Sequence, residues 1–368
     1  MTLDLSFTDE QDMLRDTVRG VCAQYAPLSV VRQLEDDPVG YPPELWKQLG
    51  ALDLLGLLVP EEFGGSGMSL LEGVVLYEEL GRALAPTPHF ASCVLGAGAL
   101  LAGGSTDQQR EWLPLIASGD AILVPAWLEP DGGFGPVGVK LQAERGGDGF
   151  VLSGTKRHVP FASSATRLVV LARAGDVGLF LVDPAASGVT LTQQFSVASD
   201  TQYRVDLDDV SVSDADRCGT WSTWEAAMLD GAILAAAQAV GGASQALEIT
   251  VQYAKDREQF GKPLGAFQAL AHNLADRQTE LDGARTLVHE AAWARSTGRS
   301  IRRLAPMAKL FACRTFRNVT ATGQQIFGGN GFTVEYDIQL YFRRAKLLQL
   351  SWWDDRHLED LIAHEVLD

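Results

Sequence analysis

The run Tyr253-Ala-Lys-Asp-Arg257-Glu-Gln-Phe260-Gly-Lys-Pro-Leu264-Gly-Ala-Phe267-Gln268 gathers an Arg, an aromatic ring and a Gln around a helix-breaking Gly-x-Pro step. A fixed guanidinium can hold a pyrophosphate through charge-assisted, bidentate bonds, and an exposed ring can pack on a planar heterocycle. Taken alone, the spacing favours a helix–helix corner with Arg257 solvated. A second cluster follows downstream: Gln324-Gln325-Ile-Phe-Gly328-Gly329-Asn-Gly-Phe332. A side-chain amide followed by two glycines lets backbone come close to a bulky ligand. These glycines follow a helix and open no βαβ unit, so by themselves they read as a helix-ending turn.

Other chemistries find no footing. The six histidines (His89, His158, His272, His289, His357, His364) show no HExxH spacing and no accompanying cysteine cluster, so no zinc site is expected. No G-x-S-x-G elbow and no G-x-x-x-x-G-K-[ST] loop occurs. Cys22, Cys93, Cys218 and Cys313 are far apart and form no CxxC pair, which suits structural thiols in a reducing compartment. A formal net charge of −17 argues against grip on nucleic acid or on an anionic membrane. The start of the chain runs into acidic Thr8-Asp9-Glu10 with no basic n-region or apolar h-region. The most apolar stretch, Ala226 to Ala246, is interrupted by Asp230, Gln238 and Gln245 and reads as a buried bundle helix. A soluble cytoplasmic protein is expected.

The elements that must position the two clusters follow from periodicity. Thr8 with Gln11 makes a capping-box signature, and Leu14, Val18, Val21 and Tyr25 trace one helix face. A second helix is predicted over Glu44 to Leu55, entered through Pro42-Pro43. A third begins with Leu70, Val74, Tyr77, Leu80 and Leu84. From Ala121 to about Val212 the period falls to two. Val137, Val139 and Leu141 alternate with polar or small residues, and so do Val205 and Leu207; Leu168–Ala172 and Gly178–Val182 are short apolar runs. Many short strands suggest a small β-barrel or sandwich. Long helices are predicted over 223–256, 265–297 and 304–327, arguing for a four-helix-type bundle. The fold class is therefore α+β. A helical domain covers 1–120, a β-domain 121–218 and a helical bundle 219–368.

Four spaced motifs together resemble the acyl-CoA dehydrogenase flavoprotein family. They are Pro60-Glu-Glu-Phe-Gly-Gly-Ser-Gly67, Tyr77-Glu-Glu-Leu-Gly-Arg82, the R-x-x-F-G-K signature from Arg257 to Lys262, and the Q-x-F-G-G-N-G-F turn from Gln325. The resemblance covers nearly the whole chain. It implies N-terminal helices, a central β-barrel, a C-terminal four-helix bundle and FAD as cofactor. It also implies α,β-desaturation of an acyl-CoA: a glutamate removes the proton next to the thioester, and a hydride passes from the β-carbon to flavin. Electron-transfer flavoprotein is the implied acceptor. In such proteins the residues matching Arg257, Phe260, Phe267, Gln268, Gln325, Gly328 and Gly329 reach across a subunit boundary and hold the neighbour's FAD.

The sequence departs from the pattern where the chemistry would occur. After Arg343-Arg344-Ala345-Lys346 the register leads to Ser351-Trp352-Trp353-Asp354, so the base position is Trp352. An indole N–H donates only and takes up no proton at neutral pH. The alternate base position, counted back from Arg257, is Gly231, with Ala232 next to it. Asp230 is adjacent, but one helical step turns a side chain by about 100°. On the flavin side, Leu128-Glu129-Pro130 and His158-Val159-Pro160 replace hydroxyl-bearing segments, and Pro160 offers no backbone donor. His158 has no identifiable partner and reads as structural. Residues serving the chain's own flavin are gone, while those serving a neighbour's remain. This split resembles the non-catalytic subunits of actinobacterial heterotetrameric acyl-CoA dehydrogenases, several of which act on steroid side-chain CoA thioesters. The resemblance thus implies an α2β2 assembly with a catalytic partner subunit. Two alternatives stay open. One is a homomeric dehydrogenase, oxidase or monooxygenase on the same fold, with Asp354, Asp355 or Asp230 as candidate base. The other is a purely structural partner.

Overall fold

The computed structural model describes residues 7–367. Helices come first: α1 (Asp9–Tyr25), α2 (Leu28–Gln33), α3 (Pro43–Ala51), α4 (Leu70–Arg82), a π-helical stretch (Phe90–Gly96) running into α5 (Ala97–Gly103), and α6 (Thr106–Ser118). Strands follow: β1 (Leu123–Ala126), β2 (Gln142–Gly146), β3 (Gly149–Pro160), β4 (Arg167–Ala174), β5 (Asp176–Val182), β6 (Val189–Gln194), β7 (Gln202–Ser213) and β8 (Arg217–Thr220). The chain then returns to helix with α7 (Trp221–Asp256), a hairpin of β9 (Glu258–Gln259) and β10 (Lys262–Pro263), α8 (Gln268–Ser296), α9 (Leu304–Phe327), α10 (Ile338–Leu350) and α11 (Asp355–Leu367). The helix–strand–helix order read from periodicity is the order observed.

Short polar signatures start the early helices. Gln11 N–H donates to Thr8 Oγ1 and Thr8 N–H to Gln11 Oε1, which is the expected capping box; Ser69 with Glu72 and Ser105 with Gln108 form two more. The helix predicted over Glu44 to Leu55 stops at Ala51.

The chain folds into two compact units, each drawn from separated segments. One takes residues through 31, 69–85 and 232 onward, and so contains α1, α4, α8–α11 and the later part of α7. Here α4 and α7 meet backbone to backbone. A Cβ on Gly81 would lie 2.0 Å from Gln238 O, and one on Gly241 would lie 1.8 Å from Glu78 O. This close crossing requires Gly241 of the apolar stretch; the helix that carries the stretch is long and apolar enough to span a membrane, yet 78% of its apolar window is buried within the protein. Arg19 pairs with Glu79 through two bonds of 2.7 and 2.9 Å, and Arg82 pairs with Glu248.

The other unit takes 32–68 and 86–231. Its strands form one mixed sheet in the order β6-β7-β3-β2-β4-β5-β8, with β1 parallel beside β4. The apolar runs 168–172 and 178–182 lie in β4 and β5 as expected, paired antiparallel. The alternation at Val137, Val139 and Leu141 forms no strand. A short 3-10 turn occupies Pro136–Gly138, and the next N–H groups are satisfied differently. The Glu129 carboxylate accepts from Lys140 N and Leu141 N, and Arg173 Nε donates to Val139 O. A side chain has taken the place of a ladder partner, which period-two alternation does not reveal.

Candidate functional site

Both sequence clusters fall in the first unit. Where α7 ends, Arg257 N–H donates to Tyr253 O at 2.9 Å, and Leu264 N–H returns to Arg257 O at 2.8 Å, closing a loop on Arg257 itself. Inside it, Gln259 faces Lys262 across the β9–β10 hairpin, leaving Phe260-Gly261 as a two-residue connection. Their φ values, +56° and +78°, are those of the type I′ turn that matches strand twist. Glycine adopts this region freely, whereas a phenylalanine there costs about 1 kcal/mol. The strained residue is also 91% exposed. Phe267 meets the Phe260 ring edge-on at 6.2 Å, and Lys262 Nζ lies 4.2 Å from the Phe267 centroid. Arg257 and Gln268 are exposed as well, Gln268 opening α8.

At the end of α9, Gly328 N–H donates to Gln324 O, and Gly328 turns the chain at φ +60°, ψ −135°. Gln325, Gly328 and Gly329 are exposed. A Cβ at either glycine would meet nothing within 4 Å, so the backbone lies open.

An aromatic joint brings the two clusters together. Tyr253 stacks on Phe327, the Tyr336 ring stands edge-on to both, and Asn330 Nδ2 donates to Tyr253 Oη at 3.1 Å and Tyr336 Oη at 3.4 Å. Tyr253, Asn330 and Tyr336 carry no role that the sequence alone discloses. The one usable signal was the Asn within Gly-Gly-Asn-Gly. One end of the helices thus presents an exposed cation, a ring, two amides and open glycine backbone, an arrangement suited to binding.

The remaining positions are occupied as follows. α10 ends at Leu350, and Trp352 and Trp353 turn the chain at φ +55° and +74°. Trp353 is buried and Trp352 half-buried. Lys309, fully buried on α9, donates from Nζ to Leu348 O (3.0 Å) and Trp353 O (2.9 Å), pinning this corner; burial pushes its ammonium below the usual lysine range. Asp354 accepts from His357 N–H, and Asp355 Oδ2 accepts from Arg314 Nε at 2.9 Å and Gln349 Nε2 at 3.0 Å, so both carboxylates are engaged in holding the corner. A Cβ on Gly231 would fall 2.8 Å from Leu95 Cδ2, while Ala232 is buried. Asp230 lies half-buried on α7.

In the sheet unit, Leu128 O accepts from Arg157 N–H, and Glu129 forms a buried pair with Lys156 at 2.6 Å. His158 does have a partner. It sits in a β-bulge between Lys156 and Val159 at φ +54°, and its Nδ1 lies 2.5 Å from Gln202 Oε1. An oxygen acceptor puts the proton on Nδ1, which fixes the ring. The bulge brings Gln202 within reach, and sequence spacing does not disclose a bulge.

Residues 8–120 match the model for the acyl-CoA dehydrogenase N-terminal domain, and residues 221–352 match that for the acyl-CoA dehydrogenase C-terminal domain. A probable acyl-CoA dehydrogenase of Bacillus subtilis, YngJ, is 31% identical over 99% of this chain and 100% of its own length. The chain belongs to the acyl-CoA dehydrogenase family. The structure of the ChsE4–ChsE5 complex from Mycobacterium tuberculosis is similar at TM-score 0.92 and 28% identity, covering 100% of this chain and 99% of that one. The Tcur3481–Tcur3483 steroid acyl-CoA dehydrogenase, as its G363A variant, is similar at TM-score 0.88 and 33% identity, covering 98% and 99%.

Members of this acyl-CoA dehydrogenase family are FAD-dependent flavoproteins. The cluster on this chain suits part of such a group. Arg257 offers a solvent-facing guanidinium, Phe260 an uncovered ring, and Gly328 with Gly329 exposed backbone with no atom within 4 Å of where a Cβ would lie.

Proposed function

We propose that this chain is a subunit of a heteromeric acyl-CoA dehydrogenase that lacks its own base and completes a partner's FAD site in trans. The observation that carries this reading is a contrast in what is available. Arg257, Phe260, Gln268, Gln325, Gly328 and Gly329 all face outward, whereas the base position is an indole held in a turn pinned by buried Lys309. Bound FAD supplies the hydride acceptor for α,β-desaturation. Toward it, Arg257 pairs with the diphosphate, Phe260 and Phe267 form an aromatic wall, and Gln268, Gln325 and the Gly328–Gly329 backbone offer polar contacts. The segments 1–120, 121–218 and 219–368 serve as helical domain, β-domain and the bundle carrying this half-site.

The partner is a catalytic acyl-CoA dehydrogenase subunit in an α2β2 cytoplasmic assembly, with electron-transfer flavoprotein as acceptor. A steroid side-chain CoA is the substrate class favoured by the likeness to the steroid dehydrogenase named above. The test is the visible spectrum of the chain purified alone and then co-expressed with a neighbouring acyl-CoA dehydrogenase homologue. A colourless or insoluble chain that gives a yellow, active complex supports the reading. A yellow, active homo-oligomer overturns it.

A further inference from the structure

The last turn of α9 carries a buried amide that nothing in the described residues satisfies. Gln324 is 6% exposed, and neither its Nε2 nor its Oε1 has a hydrogen-bond partner among those residues. Burying both ends of a carboxamide unpaired is costly, because water would otherwise solvate each. A leucine at this position would pack without that penalty. The amide lies against the glycine turn: a Cβ on Gly331 would fall 2.6 Å from Gln324 Oε1. The contact is therefore made through the Cα side of Gly331 and not through a peptide N–H.

That turn can change shape at little cost. Gly328, Gly329 and Gly331 leave its backbone free to cross between conformations, and at the first two of them there is open space. The bond from Asn330 Nδ2 to Tyr253 Oη keeps the turn at the half-site.

We infer that Gln324 is a positioning residue for dinucleotide binding: its amide receives peptide groups of the Gly328–Phe332 turn when that turn closes on a diphosphate-bearing ligand. The inference rests on the half-site reading. Exposed Gln325 and the open glycine backbone touch the ligand, while Gln324 acts through the turn and stays unpaired in the ligand-free chain. Stability without ligand and affinity for ligand should therefore respond in opposite senses to its loss.

The test uses the FAD-binding assembly in which the chain is isolated, with Gln324→Leu and, as a second variant of different shape, Gln324→Met. Three quantities are read: the thermal midpoint of the FAD-free form, the FAD dissociation constant from flavin fluorescence, and hydrogen exchange of residues 328–332 with and without FAD. The expected result is an unchanged or higher FAD-free midpoint and an FAD affinity weakened by about tenfold. FAD-dependent protection of the turn should also be lost. Affinity within twofold of the wild type in either variant overturns the inference. So does a midpoint that falls together with affinity in both, since that is what a merely structural amide, bridged by a buried water, would give. Arg257→Ala separates the two levels. If it leaves FAD binding unchanged, the half-site reading fails; if it weakens binding while both Gln324 variants do not, only the role of Gln324 is lost.

Discussion

The ring of Tyr253 lies on that of Phe327, centroids 3.9 Å apart and planes 15° from parallel. Tyr253 is in the last turns of α7 and Phe327 ends α9, so one stacked pair ties together the two sequence clusters. Truncating it with Tyr253→Leu should cost about 2 kcal/mol of stability and lower flavin retention. Tyr253→Phe keeps the stack and loses only the bond from Asn330, for about 1 kcal/mol. Denaturant titration of both variants checks the ranking; equal losses would contradict it.

Phe260 trades stability for exposure. Its φ of +56° occupies the first position of a type I′ turn, where asparagine is preferred. Phe260→Asn should raise the stability of the chain by about 0.5–1 kcal/mol, while FAD binding to the assembly weakens by about tenfold. A thermal melt paired with a flavin titration reads both, and a variant that binds FAD as well as wild type would remove Phe260 from the site.

The α4–α7 crossing admits no extra carbon. Gly241→Ala must push a methyl into Glu78 O, at 1.8 Å in the unrelaxed backbone. A loss of about 2–3 kcal/mol is expected. Gly133→Ala, where nothing lies within 4 Å, should change stability by less than about 0.5 kcal/mol and serves as the comparison.

Burial, opposed by the charge of Glu129, brings the Lys156 ammonium from 10.5 down to about 8. Between those values the unfolded chain holds more protons than the folded one. This group's contribution therefore makes stability rise with pH across that window, by at most about 1.4 kcal/mol per pH unit. Lys156→Met should abolish the rise and, by stranding buried Glu129, cost about 3 kcal/mol at neutral pH. Urea unfolding at a series of pH values between 7 and 10.5 would expose the opposite sign, were it present.

What was legible in the sequence is what depends on local patterning. The span 304–327 matches α9 end to end, and 223–256 begins two residues inside α7, because long helices carry an uninterrupted apolar stripe and end at glycine or a hairpin. The two clusters were legible only through the resemblance of four ordered motifs to a known family, since each alone reads as a corner or a helix-ending turn. Lost to the sequence were features made by long-range partners: Glu129 replacing a strand ladder at Lys140 and Leu141, Gln202 reaching His158 across a bulge, and Lys309 holding Leu348 and Trp353. None of these pairings has a spacing rule. Gln324 and Gln325 are adjacent, and no pattern in the sequence shows which of the two glutamines is buried.

In the proposed assembly, Arg257 of this chain serves a flavin held mainly by the partner subunit. The most direct measurement is the FAD content and turnover of the co-expressed complex carrying Arg257→Ala in this chain alone. Loss of a charge-assisted contact to the diphosphate predicts that FAD affinity drops by about tenfold or more, with turnover restored at high added FAD. A complex that keeps wild-type FAD content and wild-type turnover would contradict the account and leave the clusters as an interface only.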